Sequence, residues 1–205
     1  KLGWLVNEVP RWYKYEKNGS ANGKKMTMSE TYLRKYLLNG GVILADTSVD
    51  RLKKTANCWE VYIENNRRKH KIKSKNVILS AGAIGTPLIL QRSGLSKLAG
   101  EKLQMHPTIK VVALFKEQIN SERMGVPVHQ VNEFSPAFTF GCSISSQPYL
   151  RVAMLDHYEH IKLVDEKWQQ MAVFYAMIIP QGTGKVGELP IFKDPLIRYN
   201  LTQKD

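Results

Sequence analysis

The sequence predicts an α/β portion followed by an α+β portion whose sheet is mostly antiparallel. Three observations lead there. At Lys75 to Leu95 a short apolar run, Val77-Ile78-Leu79, meets a glycine turn and then a helical pattern, the order of a βα unit. Before it, Trp59, Val61 and Ile63 alternate with Glu60, Tyr62 and Glu64, and Lys69 to Lys73 pairs back, the period-2 signature of a hairpin. Beyond residue 108 the apolar runs 109–115, 126–134, 137–145 and 171–180 read as strands gathered around a few helical segments.

Taken in order, residues 1–26 set Trp4, Trp12, Tyr13 and Tyr15 among turn formers without a sustained period. This predicts an irregular connecting segment lying over another part of the protein, with 20–25 as a loop. Thr27 or Ser29 offers a cap to a helix carrying Tyr32, Leu33, Tyr36 and Leu37 at helical spacing, an apolar face for a core, and Gly40-Gly41 stops it. Val42-Ile43-Leu44-Ala45 then reads as a short buried strand, and Ser48 to Leu52 continues extended. The hairpin of residues 58–73 turns at Asn65-Asn66 and delivers the chain into Asn76 to Ser80, expected as a strand buried on both faces. Ser80-Ala81-Gly82-Ala83 gives a run of small residues against which a bulky ligand can lie. Thr86 is expected to cap the next helix, with Pro87 in its first turn, Leu88 to Ser93 helical and Gly94 ending it. On pattern alone an ordinary βα unit is the better reading of this stretch.

In the second half, Pro148 opens a helix, His157 to Gln170 carries Ile161, Val164 and Trp168 at helical offsets, and Met171 to Pro180 is a strongly apolar strand. Gly182-Thr183-Gly184-Lys185 reads as a hairpin turn, because a phosphate loop needs GxxxxGK[ST] and a following helix.

Composition bounds what the chain can be. With 205 residues and 43% hydrophobic content it can bury a core in one or two domains. Thirty basic against eighteen acidic residues give +12, which fits a solvated basic face or attraction to an anionic partner. Arg67-Arg68-Lys69-His70-Lys71 lacks interleaved aromatics, so nucleic acid is not expected. Two cysteines without CxxC or Cys/His spacing point away from a disulfide framework and a structural metal. No apolar run approaches the roughly 18–20 residues of a spanning helix. Asn18-Gly19-Ser20 and Asn200-Leu201-Thr202 match the glycosylation sequon, too short a pattern to fix a compartment, and localisation and oligomeric state stay unassigned.

Gly82-Ala83-x-x-Thr86-Pro87 followed by Ser93-Gly94-Leu95 resembles the second signature of the glucose–methanol–choline (GMC) family of FAD-dependent alcohol oxidoreductases, with Ser96 where that signature usually has glycine. Met28-Ser29-Glu30-Thr31-Tyr32-Leu33 resembles the helix before a strand of the family's FAD-binding domain, Met105-His106-Pro107 its step after the signature, and Asp194 to Tyr199 a step in its substrate-domain sheet. The resemblance implies FAD as cofactor, an alcohol as substrate and oxidation of its CH–OH group, with a long-chain or sterol-like alcohol suiting an apolar pocket. It further implies a Rossmann-like part of the FAD-binding domain over 27–108 and part of the substrate domain over 109–205. Val49, in Val49-Asp50-Arg51-Leu52, matches the valine whose backbone reads the adenine edge, and Ala81, Gly82, Ala83 and Thr86 match the turn at the adenosine. Read without the family, Val49 is a plain core valine.

Two parts of the family pattern are not expected here. The Gly-x-Gly-x-x-Gly of a first βα turn that would hold a pyrophosphate is read as missing from the chain, and none of the five histidines stands in the catalytic context. His106-Pro107 is followed by Thr108-Ile109 and lacks the glycine of that context. The expectation is an internal fragment of a longer flavoenzyme with no catalytic residue of its own. A non-catalytic nucleotide- or partner-binding module and a flavoprotein of another reaction type are the rivals.

Overall fold

A computed structural model of the chain describes residues 2–15, 23–189, 191, 194–203 and 205. The sequon at 18–20 and most of the expected loop 20–25 lie outside these. Two compact units interleave along the chain, residues 1–41 with 106–179 and residues 42–105 with 180–205. Contacts therefore group the chain differently from the sequential division at 108 expected above. The reason lies in the long-range pairings of each unit.

In the first unit the opening residues are ordered rather than irregular. Strand β1 (Val6–Glu8) is followed by the two-residue strands β2 (Tyr13–Lys14) and β3 (Lys24–Lys25), which pair with each other. Ser29–Leu33 forms a π-helical turn that continues into α1 (Arg34–Leu38), and Gly40 follows at φ +81°. Tyr32, Leu33, Tyr36 and Leu37 are all exposed, so the expected apolar face covers no core in this chain. Helical spacing specifies a face, but burial needs an opposing surface.

The second unit's strands β4 (Thr47–Lys54), β5 (Trp59–Asn65) and β6 (Arg68–Ser74) form an antiparallel meander. Asn66 and Arg67 turn the β5–β6 hairpin, one position later than expected, both in left-handed backbone at φ 47° and 62° as a two-residue turn of matching twist requires. Val42–Leu44 and Val77–Leu79 are not strands. Neither run belongs to a strand among the described residues, and Val42 is 73% and Ile78 90% exposed. An apolar run becomes a strand only where another strand takes its backbone groups. Helix α2 (Gly82–Arg92) follows, one turn earlier than expected, with Pro87 inside it and Gly94 ending it.

The first unit resumes with β7 (Thr108–Leu114), β8 (His129–Val131), β9 (Phe138–Cys142), α3 (Gln147–Ala153), α4 (Lys162–Lys167) and β10 (Met171–Ile178). Its sheet runs β1-β8-β9-β10-β7, and all four pairings are antiparallel. The amino-terminal arm is zipped on as its edge: Val9 N–H donates to Val128 O at 2.6 Å, Asn132 N–H to Leu5 O at 2.9 Å and Val126 N–H to the Tyr15 hydroxyl at 2.8 Å. Central β10 supplies Met171 and Val173 to a core with Leu150, Met154 and Val164, under α3 and α4. The single helix expected over 157–170 is broken, because His157 leaves helical dihedrals and 3₁₀ turns flank α4 at Leu155–His160 and Trp168–Gln170.

Buried Asn120 ties this unit together. Its Nδ2 donates to the carbonyls of Ser145 at 2.6 Å, Met171 at 3.1 Å and Trp168 at 3.3 Å, while its Oδ1 accepts from Ser121 N–H. Ser145 Oγ accepts from Val173 N–H and donates to Ser143 O, so no buried polar atom in the knot is wasted.

The second unit closes with β11 (Lys185–Glu188) and β12 (Pro195–Arg198), an antiparallel pair. Gly182 to Lys185 is thus no hairpin turn: Gly184 bridges to Leu103, and the hairpin lies farther on, between Glu188 and Pro195. Leu88 of α2, Leu103 and Val186 form the buried cluster, with Tyr199 against it. Gly100 sits at φ +89°, and a Cβ there would lie 2.5 Å from Val186 O, so only glycine admits this close crossing.

Candidate functional site

The expected site residues fall in the second unit, on α2 and β4, which pack against each other. At the head of α2 the chain leaves Ser80 without a strand's constraint and turns on Gly82 at φ +78°. A Cβ there would meet nothing within 4 Å, so the space above the turn is open. Ala81 is the residue before the helix and Ala83 opens its regular part. Thr86 is not the cap that its sequence position suggested. It lies inside the helix, and its Oγ1 reaches back to accept the Ala81 N–H at 3.1 Å, which fixes the turn from within. Pro87 brings no N–H to the Ala83 carbonyl. The first-turn N–H groups of α2 lack intrahelical partners for the usual reason at a helix start. Small side chains, open space and orphan donors together make a surface against which a polar planar ligand can lie.

Val49 sits on β4, the edge strand of the β4-β5-β6 sheet, opposite Ile63. The hydrogen-bond phase of this edge follows from two bonds. Thr55 N–H donates to Cys58 O at 2.9 Å, which makes 55/58 a bonded pair, and Leu52 N–H leaves the ladder to reach Ser93 Oγ at 2.7 Å. Alternating back along the regular strand β5, Val61 and Ile63 turn their backbone groups to β6 and Tyr62 turns its own to β4. Val49, opposite Ile63, therefore directs its N–H and C=O to the open edge. A bulge at Asp50 shifts the register between Val49 and Arg51, so half-buried Val49 and fully buried Leu52 share the inner face despite being three apart. Arg51 lies over the Tyr62 ring at 4.5 Å on the opposite face.

Several residues that hold these pieces were not foreseen. Ser93 Oγ accepts Leu52 N–H and donates to Ile89 O, docking the end of α2 on β4. Gln91 Nε2 donates to Ala99 O at 2.6 Å and Val186 O at 2.9 Å. Arg92 Nε donates to Glu188 Oε2 at 2.9 Å within a half-buried ion pair, and this bond raises the Arg92 pKa above its ordinary value. The Glu60 carboxyl is held below its usual range chiefly by the bond from Lys71, with the Tyr62 hydroxyl adding to it. The bulge did leave a trace in the sequence, since apolar Val49 and Leu52 violate strict alternation.

All five histidines, His70, His106, His129, His157 and His160, are exposed. Among the described residues no cluster of metal-ligating side chains occurs. The spacing Gly-x-Gly-x-x-Gly does stand in the chain, at Gly182-Thr183-Gly184-Lys185-Val186-Gly187, which corrects the reading that it is missing altogether. It runs as an extended arm into β11 with no helix after it, so it offers no helix amino terminus to a pyrophosphate.

Comparison with known proteins bears on the whole chain. A family model described as GMC oxidoreductase matches residues 12–108. An uncharacterized GMC-type oxidoreductase, y4nJ of Sinorhizobium fredii, is 31% identical over the full chain, which covers 43% of that protein. The long-chain-alcohol oxidase FAO1 of Arabidopsis thaliana is 25% identical, again over the full chain, which covers 31% of it. The chain thus spans less than half the length of these relatives.

Proposed function

Because the chain belongs to the GMC oxidoreductase family, its match lying over residues 12–108, we propose that it forms part of an FAD-dependent enzyme oxidising the CH–OH group of an alcohol. The observation that carries the reading is the pairing of two open backbone surfaces, the Val49 edge and the Gly82 turn, on adjacent elements of one unit. Val49 N–H and C=O would pair with the adenine edge, while Ala81, Gly82 and Ala83, braced by Thr86, would lie along the adenosine. The chain's own part is to bind and orient. A bound flavin supplies the hydride acceptor. An alcohol with a long apolar chain is the substrate class we favour, in line with the relative named as a long-chain-alcohol oxidase.

The test is flavin content, measured by absorbance and by release on denaturation, in the gene product carrying this chain. Gly82→Leu should strip the flavin, because a branched side chain would occupy the open space and the left-handed backbone. Val49→Pro, which deletes the N–H, should weaken flavin retention, whereas Val49→Ala should not. Normal flavin content in Gly82→Leu would sink the assignment. A second reading, nucleotide binding without catalysis, is favoured by the exposure of every histidine. Retained flavin without reduction of a dye by any primary alcohol would support it.

A further inference from the structure

The first unit holds a cavity of about 250 Å³ beside the amino-terminal arm, lined by Arg11, Tyr13, Pro127, Cys142, Ile144 and Tyr175 among others. Among the described residues one cation faces it and no carboxylate does. Arg11 Nε donates to Pro127 O at 3.1 Å, which fixes the guanidinium plane. Its terminal nitrogens have no partner among the described residues. Burial pushes the Cys142 thiol up, so that wall brings no competing negative charge. A second cavity of about 240 Å³ shares Tyr13, Val126 and Ile144 with the first and extends to Tyr149, again without an acidic residue among the described ones. The two together reach the size of small-ligand sites.

We propose that this paired cavity binds a monocarboxylate with an apolar body, its carboxylate on the Arg11 guanidinium and its tail along Ile144 towards Tyr149. A single planar fork suits a carboxylate, whose two oxygens match two parallel N–H donors. Phosphate or sulfate would gain from further cations, and no other among the described residues lines either cavity. The phenol faces and Ile144 suit a hydrocarbon better than a sugar or peptide backbone. The inference does not rest on the flavin reading, since its residues lie in the other unit.

Octanoate is the probe, titrated calorimetrically into the 205-residue chain, with 1-octanol and acetate as controls for head and tail. Saturable octanoate binding is expected, weakened about tenfold or more in Arg11→Gln, with both controls weaker than octanoate by a similar factor. Ile144→Asp should weaken octanoate while leaving Arg11 in place, and both variants are to be compared with the parent by thermal melt. Three results would overturn the proposal: no octanoate binding by the parent at about 10 mM, equal binding by a folded Arg11→Gln, or octanol binding as well as octanoate. If both variants fail to fold, binding of octanoate by Arg11→Lys as tightly as by the parent would equally overturn it, because an ammonium cannot reproduce the fork.

Discussion

Asp205 shows how backbone donors set a charge. Its carboxylate accepts Gln181 N–H at 2.6 Å, Thr202 N–H at 2.7 Å, Gly182 N–H at 3.2 Å and the Thr202 hydroxyl at 2.9 Å. These bonds, that from Thr202 N–H foremost, lower its pKa from 3.8 to about 2. A carboxyl with a depressed folded pKa contributes stability that is complete above the unfolded value and is lost as pH falls through the folded one. The contribution should therefore persist above about pH 4 and vanish towards pH 2. Carbon-detected NMR titration of the Asp205 carboxyl should give a midpoint near 2, with the Gln181 and Thr202 amides moving alongside. A midpoint near 3.8 would show that the bonds do not form in solution. Asp205→Asn should abolish that step. The Thr202 donors are local, but those of Gln181 and Gly182 were not legible in the sequence, because β11 and β12 bring them back to Asp205.

Strands and helices were legible where a local period coincided with a local partner. The β5–β6 hairpin was readable from alternation plus a two-residue turn, and β7 and β10 from β-branched and apolar runs that do find neighbours. Val42–Leu44 and Val77–Leu79 were misread, since their composition suits a strand but no strand among the described residues forms a ladder with them. The π-helical turn at Ser29–Leu33 followed its period yet covers nothing. Of the site, Gly82 was legible as a turn, while the outward backbone of Val49 was not, because edge position and hydrogen-bond phase are properties of the sheet. Asn120 was likewise invisible, being a polar residue in a loop that organises β10, α4 and the segment after β9. Asn120→Ala would take the donor from the Ser145 and Met171 carbonyls and the acceptor from Ser121 N–H, while Trp168 O keeps the Met171 N–H, costing about 2–4 kcal/mol on the scale of buried polar networks. Urea unfolding followed by tryptophan fluorescence would measure it, and a loss under about 0.5 kcal/mol would show the knot to be dispensable.

Across the molecule, large apolar side chains lie exposed in both units, Leu38, Ile78 and Leu98 among them at 77%, 90% and 81%. A charge of +12 opposes the self-association that such surface invites. The balance depends on salt, since screening shortens the reach of that repulsion from about 10 Å at 0.1 M to about 3 Å at 1 M. Raising sodium chloride across this range should shift sedimentation velocity profiles from monomer towards larger species, whereas a monomer at both ends would mean that the exposed apolar surface is too scattered to adhere.

The bond from Gln91 to Val186 spans 95 residues, and Gly100, Leu103 and Gly184 close over similar separations. During synthesis at roughly 5–20 residues per second, α2 waits on the order of 5–20 s before its packing partner has been made. Through that interval Leu88 has no Val186 to cover it, and the other unit's residues 106–179 are translated in between. The nascent chain is thus obliged to carry one half-built core past the assembly of another, which makes the ribosome-bound stage the natural point of engagement for a holding chaperone.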